Sequence, residues 1–282
     1  MFPEENIIAA LKKLATPGHS ANDLIGLGMW LMGQFDKIYI PTIHLPKGTQ
    51  FFRIRPNYGS PSFSKITDIT YKNANSNTEF GRAHLPNTTI FYGTLALAFQ
   101  NNDGIDFRIP INTSLSEVFK ELIKDDGETV TISLWRSMKK IKLTNVLYEN
   151  NSINNKFYLK AFRNRLNKAK DHQESTNIIL KFFSDEFSKS NINNHVDYLF
   201  SALFTENILQ FTKGILYPSV RDGVGINVAI DKDFVDKYLF PYFVWEGTAY
   251  EKDGLYRFVA KKEANLIYPD REFRLKNIEY EE

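Results

Sequence analysis

Cysteine is absent from the 282 residues of this chain. Its absence excludes a cysteine nucleophile, a thiolate zinc site, an iron–sulfur cluster and any disulfide framework, and it fits a reducing compartment, with the cytoplasm as the expected location. Histidine is scarce. The five histidines, His19, His44, His84, His172 and His195, contain no i, i+4 pair, so no metal site is expected. An excess of one charge is lacking too: Lys+Arg 35 against Asp+Glu 33 leaves +2, which argues against a nucleic-acid binder held by a generally basic surface. The longest apolar run, Leu24 to Met32, falls short of the about 20 residues a membrane-spanning helix needs and is expected to be a buried helix. Met1-Phe2-Pro3-Glu4-Glu5 is acidic where a secretion signal would be basic. There is no Gly-x-x-x-x-Gly-Lys loop and no Gly-x-Ser-x-Gly elbow, and Gly223-x-Gly225 stands alone before a strand-like stretch.

What is present is ordinary globular composition, 43% hydrophobic and 24% charged, enough for one large domain or two small ones with a substantial core. Residues 4 to 15 have the spacing of an amphipathic helix, and a second apolar helix, with Asn22 as its candidate cap, runs to about Gln34. Strand-like pieces follow: 37–40, 50–54, 89–92, 128–135 and 142–147. Helical periodicity returns between Lys156 and Phe211. The end reverts to strands at 214–219 and 226–230 and to a hairpin, 242–250 with 256–260, turning at Lys252-Asp253-Gly254. Strands, then helices, then strands indicate an α+β fold. The basic run Lys156, Lys160, Arg163, Arg165, Lys168 and Lys170 reads as a solvated helix face.

Three separated segments carry chemistry. Phe51-Phe52-Arg53-Ile54 puts an arginine in an apolar strand, where its charge needs a partner or an anionic ligand. Phe80-Gly81-Arg82-Ala83-His84 leads to Ile90-Phe91-Tyr92-Gly93, and Gly214-Ile215-Leu216-Tyr217-Pro218-Ser219-Val220-Arg221 ends a strand with a serine and an arginine. Taken together these resemble the RES-domain family, named for its arginine, glutamate and serine. The early apolar-Arg-apolar strand matches at Arg53, the Gly-Arg turn and Tyr strand at Gly81-Arg82 and Phe91-Tyr92, and the Gly-Ile-x-Tyr-Pro-Ser-x-Arg segment at Gly214 to Arg221, before Asn227-Val228-Ala229. The family's Thr-Ala-x-x-Glu-Val helix start is met by Thr113-Ser114-Leu115-Ser116-Glu117-Val118 with one substitution, which makes Glu117 the glutamate. Residues 96 to 112 lengthen the interval after Tyr92 beyond that of compact members. Gln100 therefore competes for the position, and Glu121 lies one helical turn after Glu117.

The resemblance covers roughly Gln50 to Ile230. It implies an ADP-ribosyltransferase-like fold of the diphtheria-toxin class, central β-sheets with flanking helices, with residues 1–45 as a helical extension packed on a catalytic domain of residues 46–282. It also implies an intracellular NAD-depleting toxin, restrained by an antitoxin, that cleaves NAD as its substrate without a metal. In that reading Arg53 and Arg82 hold the pyrophosphate, Glu117 stabilises the ribosyl cation, Ser219 orients the ribose or the acceptor, and Tyr92 stacks on a ring. Tyr58 and Arg221 are lesser candidates. Water, phosphate and a macromolecular side chain remain open as acceptors, a silent nucleotide-binding module remains the alternative from another class, and homo-oligomerisation is undecided. Each residue also has a plain structural use: Arg53 in a buried ion pair, Arg82 anchoring a loop, Glu117 in the first turn of a helix, Ser219 in a turn and Tyr92 in the core.

Overall fold

The strand-like runs assemble into one sheet. Its strands in chain order are β1 (Thr42–Leu45), β2 (Gln50–Pro56), β3 (Ile90–Leu95), β6 (Glu128–Ser137), β7 (Ile141–Asn145), β8 (Gly214–Pro218), β9 (Ile226–Asp231), β10 (Leu239–Lys252), β11 (Leu255–Asn265) and β12 (Lys276–Asn277), while β4 (Phe99–Asn101) and β5 (Gly104–Asp106) form a separate pair. This computed structural model describes residues 4–14, 20–33, 40–96, 99–101, 104–106, 108–119, 127–147, 164, 173–221, 223 and 225–279. Across the ten-stranded sheet the order is β1-β7-β8-β9-β3-β2-β6-β10-β11-β12, with every pairing antiparallel except β7 with β8. With the helices α1 (Glu4–Leu14), α2 (Ala21–Met32), α3 (Ile66–Ile69), α4 (Arg108–Val118), α5 (Gln173–Phe187), α6 (Leu199–Ile208) and α7 (Lys232–Tyr238), the fold is mixed α+β.

Apolar periodicity explains the layers. Ile7, Leu11 and Leu24 of α1 and α2 join Phe182, Phe183 and Phe187 of α5 and Leu203 and Phe204 of α6 in a cluster that lies on Ile215, Tyr217 and Ala229 of the sheet. On the same side, Leu115 and Phe119 bring α4 down on Phe52, Ile54, Ile132 and Leu134. The residues alternating with these, including Phe51, Phe91, Trp135, Val228 and Ile230, face a second core closed by Ile66, Ile69, Phe234 and Val235 of the short helices α3 and α7. The β10–β11 turn places Asp253 and Gly254 at φ 56° and 72°, the left-handed pair that suits the twist of a tight hairpin.

Several expectations change. Helix α2 is capped by Ser20, whose Oγ accepts from the Asp23 amide at 3.2 Å, and not by Asn22, because it is Ser20 that has the extended backbone a cap requires. Residues 37–39 of the first expected strand lie outside the described residues, as do the basic side chains from Lys156 to Lys170 and the start of the expected helical region. The segment 42–45, counted with the helical extension, is an edge strand paired with β7, so a boundary at 45 cuts through the sheet. Helix α7 interrupts the closing strands. Beyond it β10 pairs with β6, so the tail extends the sheet.

The feature that makes the site is a split. β2 and β3 share only the rungs Phe51↔Leu95 and Phe52↔Thr94, after which β3 follows β9 and β2 follows β6. At the point of divergence, Gly93 lies so close to β2 that a Cβ there would meet the Phe52 carbonyl oxygen at 2.9 Å.

Away from the split, Glu246 on β10 is 5% exposed and accepts from Asn57 Nδ2 at 3.1 Å, Ser62 Oγ at 2.7 Å and Lys262 Nζ at 2.8 Å. Burial pushes this carboxyl up, but the bonds from Lys262 and Ser62, the lysine charge and the bond from Asn57 outweigh it and hold the carboxyl below its ordinary range. A depressed carboxyl stabilises the fold above its unfolded pKa of about 4.3 and loses that contribution as pH falls through the lower folded value. Glu246→Gln is therefore expected to cost about 1–2 kcal/mol at pH 7, a figure discounted for the partly solvated Lys262. Urea unfolding from pH 7 to pH 3 checks this: the gap between variant and wild type should close towards acid.

Candidate active site

The split opens onto a cleft of about 270 Å³ whose walls come from β2, β3, β8, β9, α4, the Gly81–His84 turn and the 3-10 turn His195–Tyr198. Arg53 stands on β2 at its edge, 9% exposed. Its Nε donates to the Thr70 carbonyl at 3.1 Å and its Nη1 to the Tyr92 carbonyl across the split, while the guanidinium lies over the Phe91 ring at 5.1 Å. Phe91 in turn meets Trp135 edge-on, and Trp135 Nε1 donates to Ser133 Oγ, which donates to the Arg53 carbonyl. Of the five N–H donors of a guanidinium, two are occupied, and among the described residues no carboxylate forms an ion pair with it. Burial, and then the like charge of Arg55, push Arg53 down to about 9, which leaves it a cation at neutral pH. A buried guanidinium without a counter-charge carries a desolvation cost of several kcal/mol that an anionic ligand offsets.

Glu117 is placed differently from its expected position. The sequence pattern puts it at a helix start, whereas it is the penultimate residue of α4, where the helix macrodipole opposes a carboxylate. Two side chains compensate. Ser219 Oγ, just after β8, and Asn227 Nδ2 on β9 each donate to Glu117 Oε1 at 2.8 Å. Asn227 is itself fixed by Thr94, its cross-strand partner, whose Oγ1 donates to Asn227 Oδ1 at 3.0 Å. Both bonds fall on Oε1, and among the described residues none falls on Oε2 of this cleft-lining carboxylate. Gln100 lies on β4 of the separate pair, and Glu121 lies outside the described residues.

The other expected site residues divide. Ser219 is 3% exposed and borders the cleft through Glu117, to which its hydroxyl donates. Arg82 lines the cleft, but its Nη1 donates to the Phe187 carbonyl and its Nη2 to that of Lys189 at 3.0 Å, so it caps the C-terminus of α5. Tyr92 lines the cleft with its hydroxyl already engaged: it accepts from the Ala83 amide at 2.8 Å and meets His84 Nδ1 at 2.8 Å. Burial pushes that phenol upwards, so it keeps its proton, while burial and the charge of Lys72 push His84 down and keep the ring neutral. The turn admits the imidazole because residue 81 is glycine: a Cβ there would lie 2.0 Å from His84 Cε1. Tyr58 is 67% exposed, and neither it nor Arg221 reaches the cleft wall.

The cleft thus joins an arginine and a carboxylate oxygen that have no ionic or hydrogen-bonding partner of opposite kind among the described residues beyond those named, and an aromatic wall of Tyr92, Tyr198, Tyr217 and His84. No family model matches the chain, and no curated protein matches its sequence. Among solved structures, a chain from the crystal structure of the M. tuberculosis MbcT-MbcA toxin-antitoxin complex is similar, at 8% identity and a TM-score of 0.35, over 80% of this chain and 86% of that one. A likeness that distant says nothing about activity. Among the described residues no cluster of three His, Asp or Glu is placed to hold a metal ion, and no helix is long and apolar enough to cross a membrane.

Thr94, Ser114, Tyr198 and Asn227 also line the cleft, and residue type alone does not mark them as site residues. Asn227 was visible only as part of the Asn-x-Ala strand. The α4 spacing put Ser114 one turn before Glu117, a signal that marked it as a neighbour.

Proposed function

We propose that this protein cleaves NAD at the nicotinamide–ribose bond, with water or inorganic phosphate as acceptor, and acts as an NAD-depleting toxin held in check by a protein antitoxin. The observation that carries the reading is the meeting, in one cleft, of the Glu117 carboxylate, fixed through Oε1, with Arg53, which has no carboxylate partner among the described residues. Arginine suits the doubly charged pyrophosphate because its planar fork donates two hydrogen bonds at once. As the C1–N bond breaks, its electron pair passes to the nicotinamide ring and neutralises that cation, so no strong general acid is needed. The ribose carbon left behind is oxocarbenium-like, and Glu117 Oε2 supplies the negative charge and a hydrogen bond to the 2-hydroxyl. The acceptor oxygen then bonds to C1; water loses its proton to solvent and yields ADP-ribose, while phosphate yields ADP-ribose 1″-phosphate. Toxin and antitoxin follow from the resemblance to RES domains, and such an enzyme acts where NAD is held, in the cytoplasm.

Incubation of the purified chain with NAD, with and without phosphate, tests the reading by product analysis. Free nicotinamide together with ADP-ribose or its 1″-phosphate is the expected result. Label transferred to a macromolecule would make the chain a transferase, and NAD bound but unchanged would make it a silent nucleotide-binding module.

A further inference from the structure

Ser114 lies on α4 one turn before Glu117, so the two side chains share a face of the helix, with Cβ atoms about 5–6 Å apart at that spacing. It is 5% exposed and lines the cleft, and among the described residues its Oγ has no hydrogen-bond partner. Serine inside a helix ordinarily returns its proton to a carbonyl of the preceding turn, as Ser116 does here by donating to the Thr113 carbonyl at 2.8 Å. Ser114 does not. A buried hydroxyl left without a partner destabilises a fold, and a group of that kind in a cleft wall points to a ligand atom. The family pattern has alanine at this place, so the hydroxyl is a property of this chain rather than of the RES resemblance.

We infer that Ser114 is a ligand-binding residue that takes the 3-hydroxyl of the nicotinamide ribose while Glu117 takes the 2-hydroxyl, the two gripping a vicinal diol from one helix face. The inference rests on the proposed NAD cleavage for the identity of the ribose. A cis-diol presents two hydroxyls side by side, each able to donate and accept; the carboxylate oxygen can only accept, and the serine can do either. The pairing leaves the Ser114 proton free to go to the ring hydroxyl as that hydroxyl donates elsewhere, or to receive one from it.

Ser114→Ala tests this with two readouts of opposite sign. In the free protein the variant should melt about 2–4 °C higher, because it deletes an orphaned buried hydroxyl and leaves the helix a better former. With NAD the same variant should raise KM about tenfold, the loss falling on KM rather than on kcat, as removal of a uniform binding contact does. An NAD analogue lacking the 3-hydroxyl of the nicotinamide ribose should bind wild type and variant alike. A lower melting temperature for Ser114→Ala, or an analogue that still separates the two proteins about tenfold, would overturn the inference. Titration with ADP-ribose, which keeps the diol and lacks nicotinamide, separates the two readings. If NAD is not cleaved but ADP-ribose binding still depends on Ser114, the proposed reaction fails and the diol contact stands. If ADP-ribose binds wild type and variant equally, the contact fails whatever the fate of NAD.

Discussion

Glu117→Gln lowers the rate of NAD cleavage by about 10³-fold and leaves KM within about threefold of wild type. Glutamine is nearly isosteric. Its amide oxygen can occupy the place of Oε1 and keep the bonds from Ser219 and Asn227, so the cleft retains its shape while the charge facing the ribosyl cation disappears. Stability should move the other way. A carboxylate in the last turn of α4 opposes the helix macrodipole, and its neutralisation should raise stability by about 0.5 kcal/mol. Nicotinamide release and a urea melt on the same preparation check both halves. A variant that loses activity together with its fold would return Glu117 to a structural role, and release that persists at the wild-type rate would remove it from catalysis.

Arg53→Met weakens NAD binding by about 100-fold and also destabilises the free protein by about 2 kcal/mol. The two effects have separate origins. Affinity is lost because the donors of Arg53 with no acceptor among the described residues are those offered to the pyrophosphate. Stability is lost because the Thr70 and Tyr92 carbonyls, each bound by this guanidinium beside the split, are left without it. Removing a costly buried cation offsets part of that loss, which is why the expected figure is modest. Arg53→Lys should recover little of the affinity, since a single ammonium cannot span both carbonyls and still present a fork to a phosphate. Isothermal titration with ADP-ribose, which carries the same pyrophosphate, measures the binding loss without turnover. Equal affinity in wild type and Arg53→Met would sink the assignment.

Arg82 shows where reading from residue type stops. A Gly-Arg turn near an anion site is as good a phosphate ligand as Arg53 on sequence grounds, and nothing local says that its fork will be taken up by carbonyls more than a hundred residues away, at the end of α5. Ser219 is a similar case. The Tyr-Pro-Ser segment was recognisable, yet that its hydroxyl meets the Glu117 carboxylate depends on how α4 packs over the sheet, and that placement is a matter of long-range contacts. The Glu117 position was legible through its spacing, although the helix it belongs to begins earlier than the pattern suggested and ends where a start was expected. Asn227 and Thr94 became visible as a pair only through the register of β9 on β3, because a cross-strand partner is chosen by a long-range pairing that neither strand encodes alone.

What the amino-acid order settles here is local: the short β-branched and aromatic runs that make Gln50–Pro56 and Ile226–Asp231 strands, the apolar stripes of α1 and α5, the Asp-Gly turn of the last hairpin, and an arginine set where its charge demands an answer. Those features follow from periodicity and side-chain chemistry within a few residues. What the tertiary structure alone decides is which groups meet. The early parting of β2 from β3 opens the cleft, α4 lays Glu117 over β9, the end of α5 supplies the carbonyls that anchor Arg82 in the cleft wall, and the last strands extend the sheet. The physical reason is that hydrogen-bond partners and burial depend on contacts between segments far apart in the chain, and a polar side chain acquires its role from whichever of those contacts its surroundings leave unmade.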